Sequence, residues 1–271
     1  MQDFTYHTHN NNFNFFDGHN SAEEMISRAE EMGFKTIGVS NHLIWHPNVD
    51  TSHEPMFLAD IDKAIDIHKR SIDLIREVGS RHKINVLVGA EADFFQSAEW
   101  RRGFERLQKA LDFDYLIGTN HFVMNKDESF ICNLYHLKYL PADFDRDFLT
   151  ECIRGHWRNV VESINSGYYD FMAHLDYCVI KIPDKPEYDE YRWQIIEALD
   201  KRKQPFEVNT SGYNRINEQH PNTWMLKELC KRRVPTLISD DAHRVEQIGQ
   251  HFERAENLLK ELGCQVRFSL K

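Results

Sequence analysis

The sequence predicts an α/β barrel of seven β/α units whose chemistry lies on one rim. Two observations lead there. Apolar, β-prone runs alternate seven times with helical patterns, the order of a parallel sheet with crossover helices. Each run also ends in residues that can hold a metal ion or sit beside one. The ends read Tyr6-His7-Thr8-His9, Val39-Ser40-Asn41-His42, Val88-Gly89-Ala90-Glu91, Ile117-Gly118-Thr119-Asn120-His121, Met172-Ala173-His174, Glu207-Val208-Asn209 and Ile238-Ser239-Asp240-Asp241-Ala242-His243. Parallel strands would gather them on the rim where barrel enzymes carry their chemistry. Metal binding is also the plainest reason for the chain to carry 15 histidines, although surface residues such as His53, His68 and His82 account for some.

Strands are expected near 3–7, 35–40, 84–90, 114–119, 170–174, 204–208 and 234–239. Helices are expected near 21–33, 57–82, 97–111, 145–167, 187–203, 221–233 and 245–262. Ser21 with Glu24 makes a capping box for the first helix, and Gly33 stops it before the β-prone run Lys35–Val39. Pro205, Pro221 and Pro235 stand at element starts, where a missing N–H does least harm. The eighth unit of a standard barrel is missing, and Gln265–Phe268 reads as an extra edge strand. Longer irregular stretches at 10–20, 43–56, 122–144 and 210–220 each follow a ligand-bearing strand end, the usual place for substrate-contacting loops. With no internal repeat, linker or low-complexity tract, residues 1–271 are expected to form one domain.

An apolar fraction of 41% and a charged fraction of 28% are those of a soluble globular protein. The net charge of −10 argues against general nucleic-acid affinity, yet leaves room for an anionic small substrate, since a local field can oppose the total. Cys132, Cys152, Cys178, Cys230 and Cys264 are odd in number, widely spaced and contain no C-x-x-C, so they read as reduced thiols. The N-terminal residues lack a signal-peptide pattern and no stretch reaches the length of a membrane span. A cytoplasmic enzyme is expected; nothing in the pattern sets its oligomeric state.

The strand ends carry the chemistry. His7-x-His9 puts two imidazoles on one face of a strand, and Asp241-x-His243 pairs a carboxylate with an imidazole in the same way. First and last strands are neighbours in a closed barrel. Glu91 ends an apolar strand, where an unpartnered carboxylate would be too costly to keep. It could bridge two ions, or pair with Arg101 or Arg102. His121 and His174 offer imidazoles for a second ion, and His42, His243 and a residue of the 10–20 loop for a third.

The order H-x-H, a D-G in the first loop, a strand-end His, G-x-E, a strand-end His, A-H-x-D and D-A-H resembles the PHP superfamily, named for polymerase and histidinol phosphatase domains. Across the whole chain, the likeness is greatest to the histidinol-phosphate phosphatase branch. It rests on Gly89–Phe94, Asp114–Phe122, Ala173–Asp176, Val208–Gly212 and Ser239–His243. The resemblance implies a distorted (β/α)7 barrel with three divalent ions (zinc, iron or manganese) at the strand C-termini. Carried over by motif, His7, His9, Glu91 and Asp241 would hold the first ion. Glu91, His121 and His174 would hold the second, with Glu91 bridging, and Asp17, His42 and His243 the third. The first loop is longer than the family pattern, so His19 stands as an alternative to Asp17. Asn41 takes a place where the family commonly has aspartate. Lys181 lies where relatives tend to offer an arginine for phosphate, and Arg215 matches a loop with a phosphate-binding arginine.

Three divalent ions against Asp17, Glu91 and Asp241 would leave the centre cationic by about three units, which suits a phosphate monoester. The resemblance thus implies a phosphatase of L-histidinol phosphate, with Asp176 or His243 as the candidate acid and a small phosphorylated metabolite as its partner. A related hydrolase of another phosphate ester or nucleotide, and a metal-binding domain without catalysis, are the alternatives.

Overall fold

The computed structural model describes residues 2–124, 131–134, 146–180 and 185–270. The chain opens with strand β1 (Phe4–Thr5), helix α1 (Ala22–Glu31) and strands β2 (Thr36–Val39), β3 (His42–Trp45) and β4 (Phe57–Leu58). Then come α2 (Ile61–Gly79), β5 (Asn85–Asp93), α3 (Ala98–Ala110), β6 (Tyr115–Thr119) and the antiparallel pair β7 (Phe122–Met124) and β8 (Ile131–Asn133). After α4 (Arg146–Ser166) follow β9 (Phe171–Met172), α5 (Asp189–Arg202), β10 (Phe206–Asn209) and α6 (Gly212–Arg215). The last elements are α7 (Thr223–Lys231), β11 (Thr236–Ser239) and α8 (Phe252–Glu261).

Seven strands run parallel in the order β1-β2-β5-β6-β9-β10-β11, the expected (β/α)7 arrangement. The closure between β11 and β1 departs from a regular ladder. Gln2 spans it with its side chain, donating from Nε2 to Ile238 O (2.6 Å) and accepting from Ile238 N (2.9 Å) at Oε1. Nearer the rim, His9 N donates to Ala242 O (2.8 Å) and Ala242 N to His7 O (3.2 Å). These bonds bring the H-x-H and D-A-H segments together. Gln265–Phe268 does lie beside β11, through Thr236 N to Val266 O (3.1 Å) and Phe268 N to Thr236 O (2.9 Å).

Tyr6, Tyr115, Ile117, Phe171, Ala173 and Leu237 form one buried cluster, and the helices bury their apolar faces against a larger one. Full burial of such side chains stabilises by roughly 1.5–3 kcal/mol each. Gly89 has a specific duty there. A Cβ at that position would lie 2.3 Å from the Tyr115 ring, so only glycine lets the ring pass beneath the strand that carries Glu91.

Three expectations change. The run expected as helix from residue 57 starts as β4, paired to β3, and α2 begins only after the Asp60 N-cap, which accepts from Asp62 N and Lys63 N. The stretch 43–56 is correspondingly part strand. The last helix starts at Phe252, after a 3-10 turn at Val245–Gln247 and Gly249 at φ +69°. Cys230 and Cys264 are joined in a disulfide between the end of α7 and the segment after α8, overturning the reading of all five cysteines as thiols. Cys152 is free and buried, and Cys178 is buried. Among the described residues, no helix is long and apolar enough to cross a membrane.

His68 is also not the surface residue expected. It is buried on α2 near the rings of Phe16 (5.4 Å) and Phe113 (6.1 Å), and burial pulls its pKa down to about 3. Its folded pKa lies below the unfolded value of about 6.5. Protons therefore favour the unfolded chain: this contribution is fully present above pH 6.5 and is lost as pH falls toward 3. Between pH 7.5 and 4.5, His68→Phe should gain on the order of 2 kcal/mol relative to the unsubstituted protein in denaturant unfolding. A difference that does not change with pH would remove the buried neutral imidazole from the account.

Candidate metal centre

Glu91 sits at the middle of the rim, fully buried near the end of β5. The long strand β5 pairs with β2 through its first half and with β3 and β6 through its second, which sets His42 directly opposite Glu91. The two carboxylate oxygens face different imidazoles. Oε1 lies 2.9 Å from His174 Nε2 and 3.7 Å from His121 Nε2. Oε2 lies 2.9 Å from His42 Nδ1, 3.4 Å from His7 Nε2 and 3.7 Å from His9 Nε2. Arg101 and Arg102 are exposed on α3, so the rim supplies imidazoles in place of the arginine partner that Glu91 could have had.

Asp241 joins the first pair of histidines, its Oδ1 3.3 Å from His9 Nε2 and 3.5 Å from His7 Nε2. It adopts φ +49°, a left-handed conformation that aspartate tolerates better than most residues. Asp17 Oδ2 lies 3.2 Å from His243 Nε2 and 3.4 Å from His42 Nε2. His9 stacks between these groups, with ring centroids 4.2 Å from His243 and 4.6 Å from His42. His19 is exposed, with Nε2 3.3 Å from an Arg244 nitrogen. All nine residues expected to hold metal fall into overlapping groups with ligand atoms within 4.8 Å of one another. His9 belongs both with His7 and Asp241 and with Asp17, His42 and His243, while His121 and His174 reach Glu91 in separate groups.

The donor atoms suit a cation. His7 Nε2, both ring nitrogens of His9, Asp17 Oδ1 and Glu91 Oε2 are buried and have no hydrogen-bond partner among the described residues. Such atoms are costly unless something compensates them. Burial drives the His9 pKa down, helped by His243 and His42, to about 3, which keeps its lone pairs available. Burial opposes the charge of Glu91, but His42, His7 and His121 outweigh it and hold the carboxyl well below its usual range. Burial likewise disfavours a charged His7, but Glu207, Glu91 and Asp241 raise its pKa well above the ordinary value, so a cation arriving there would displace a proton.

Several supporting groups escaped the sequence reading. Glu207 Oε2 accepts from His7 Nδ1 (2.8 Å) and Ser239 Oγ (2.6 Å), while Oε1 accepts from His174 N (3.1 Å) and Asn209 Nδ2 (2.7 Å). Asp93 Oδ2 lies 3.0 Å from His121 Nδ1. Both carboxylates orient an imidazole so that Nε2 faces inward. Asn41, at the place where the resemblance led to an expected aspartate, exchanges two bonds with the first loop: Asn10 N donates to its Oδ1 and its Nδ2 donates to Asn10 Oδ1, both at 2.9 Å. A carboxylate could not make the second. Glu207 had a visible signal in its place at a strand end; the partners of Asp93 and Asn41 lie too far away in sequence to be seen.

Arg215, at the end of α6, places a guanidinium nitrogen 3.9 Å from Asp241 Oδ2. Lys181 lies outside the described residues. Asp176 is buried and already engaged: Oδ1 accepts from His220 Nδ1 (2.5 Å) and Oδ2 from Asn222 N (2.9 Å). Burial opposes its charge, yet His220 holds its pKa below the usual carboxylate value, a poor setting for a proton donor. His243 is partly exposed.

Residues 5–211 match the PHP domain family. A Schizosaccharomyces pombe protein named "Probable histidinol-phosphatase" is 22% identical over 280 residues, covering 95% of this chain and 86% of its own. A Deinococcus radiodurans protein of the same name is 22% identical over 186 residues, covering 67% and 66%. The fold is shared with the Lactococcus lactis histidinol phosphate phosphatase, whose crystal structure contains zinc, L-histidinol and phosphate. That match has a TM-score of 0.71 at 16% identity, over 100% of this chain and 97% of the other.

Proposed function

Because the chain belongs to the PHP domain family, we propose that it is a metal-dependent phosphomonoesterase that hydrolyses L-histidinol phosphate to L-histidinol and phosphate, a reaction of histidine biosynthesis. The observation that carries this reading is the Glu91-centred rim, where buried imidazoles and carboxylates converge and several of their atoms, among them His7 Nε2, both ring nitrogens of His9 and Asp17 Oδ1, have no hydrogen-bond partner among the described residues. The names of the curated relatives, and the zinc, histidinol and phosphate of the Lactococcus lactis structure, support the substrate.

In this reading, residues 1–271 act as one domain. His7, His9, Glu91 and Asp241 hold one divalent ion; Glu91, His121 and His174 a second; Asp17, His42 and His243 a third. Imidazole with carboxylate suits zinc, iron and manganese alike. Bound ions would supply Lewis acidity and a lowered pKa for water at the phosphorus. The protein's own groups do the rest. Glu207 and Asp93 fix the tautomers of His7 and His121, and Arg215 pairs with a phosphate oxygen at the rim.

Phosphate release by purified, metal-replete protein tests the substrate against a panel of phosphorylated metabolites and diesters. Histidinol phosphate should be the preferred ester. No release from it, with good turnover of another ester, would end the substrate assignment and leave the enzyme class standing. The first-loop ligand has its own test. Asp17→Ala should lower metal content by about one ion and His19→Ala should leave it unchanged, and the reverse result would move the role to His19.

A further inference from the structure

Asp176 and His220 join the segment that follows β9 to the loop that follows β10, two neighbouring strands of the rim. Asp176 follows His174 by two residues and directly precedes Tyr177, whose ring centroid lies 4.7 Å from His121 and 4.9 Å from His174. His220 closes the loop that carries Arg215. The chain leaves β10 at Asn209 and returns at His220, where Asn209 N donates to His220 O (2.8 Å) and His220 N to Asn209 O (3.1 Å). The imidazole is buried inside that loop. A Cβ on Gly212, the first residue of α6, would lie 2.9 Å from His220 Cδ2 and 3.2 Å from Nε2, so the ring packs against the backbone three residues before Arg215. Its Nε2 has no hydrogen-bond partner among the described residues, which leaves the Nδ1 bond to Asp176 as its polar anchor.

We propose that the Asp176–His220 hydrogen bond is a positioning device that holds the 210–219 loop, and with it Arg215, in register with the end of β9. The inference rests on the reading of Arg215 as a phosphate-binding residue. It makes Asp176 a strut for substrate binding, not the acid that the sequence suggested. A buried charge-assisted bond suits this task because it is directional and shielded from water. The neighbouring bond from Asn222 N to Asp176 extends the strut to the N-cap of α7.

A mutant cycle tests it. His220→Phe keeps a ring of similar size and removes the donor, whereas His220→Asn keeps a donor near the Nδ1 position. His220→Phe should raise KM for histidinol phosphate about tenfold, with kcat within about threefold and metal content unchanged. His220→Asn should recover most of that loss. In an Arg215→Ala background the further effect of His220→Phe should shrink below about twofold, because the residue it positions is gone. Should His220→Phe fail to fold, Asp176→Leu, which removes the acceptor, enters the same cycle with the same expectation. Full additivity with Arg215→Ala, loss of metal, or no rescue by His220→Asn would overturn the proposal. An Arg215→Ala variant with unchanged KM would instead remove the phosphate-binding premise, and the proposal with it.

Discussion

Glu91→Gln is expected to nearly abolish turnover and to lower the metal content of the protein. The carboxylate is fully buried, and its two oxygens face different sets of imidazoles, His121 and His174 on one side and His7, His9 and His42 on the other. A glutamine of the same shape supplies one neutral oxygen. Its amide nitrogen is a donor, aimed at ring nitrogens whose lone pairs a cation would need. The substitution would therefore remove a charge from between the two cations proposed there and turn one face of the ligand set against binding. The loss should be at least the roughly 10²–10³-fold that follows removal of a single preorganised transition-state contact. Elemental analysis beside steady-state kinetics checks both parts. Near-normal activity with near-normal metal content would mean that Glu91 does not bridge.

Arg215→Ala should lower kcat/KM about tenfold to a hundredfold, mainly through KM, while metal content holds. The guanidinium stands 3.9 Å from Asp241 at the edge of the ligand cluster, on a loop that carries none of the nine assigned ligands. A charge-assisted contact to a phosphate oxygen is worth roughly 1.5–3 kcal/mol, which gives that range. An exposed loop cation without such a contact should change the rate by less than about twofold. Lys181→Ala, measured alongside with its metal content, compares the other cation suggested by the sequence. Unchanged kinetics for Arg215→Ala would reduce Arg215 to a surface residue and weaken the histidinol phosphate assignment.

What could be read in advance follows from how locally each feature is encoded. His7 and His9, or Asp241 and His243, announce themselves because a period of two and a preceding apolar run lie within a few residues. The capping box of Ser21 and Glu24 is equally local and is present in the fold. The pairing of β3 and β4 is not, since Phe57 needs Ile44 beside it to become a strand; only Asp60, a good N-cap, marked the true start of α2. His68 could have been placed inside, because Ala64, His68 and Ile72 recur at helical spacing on the buried face of α2. The bond between Cys230 and Cys264, 34 residues apart, and the bond between His220 and Asp176, 44 apart, depend on how the barrel closes. Nothing near either residue in sequence signals its partner.

We propose that this rim holds divalent ions and that phosphate ester hydrolysis depends on them. The most direct measurement is phosphate release from L-histidinol phosphate while chelator-treated protein is reloaded with zinc, iron or manganese, with bound metal per chain determined at every point. The stripped protein should release no phosphate, and the rate should rise with loading until about three ions are bound. Release by the stripped protein, or none at any loading with any of the three metals, would contradict the proposal.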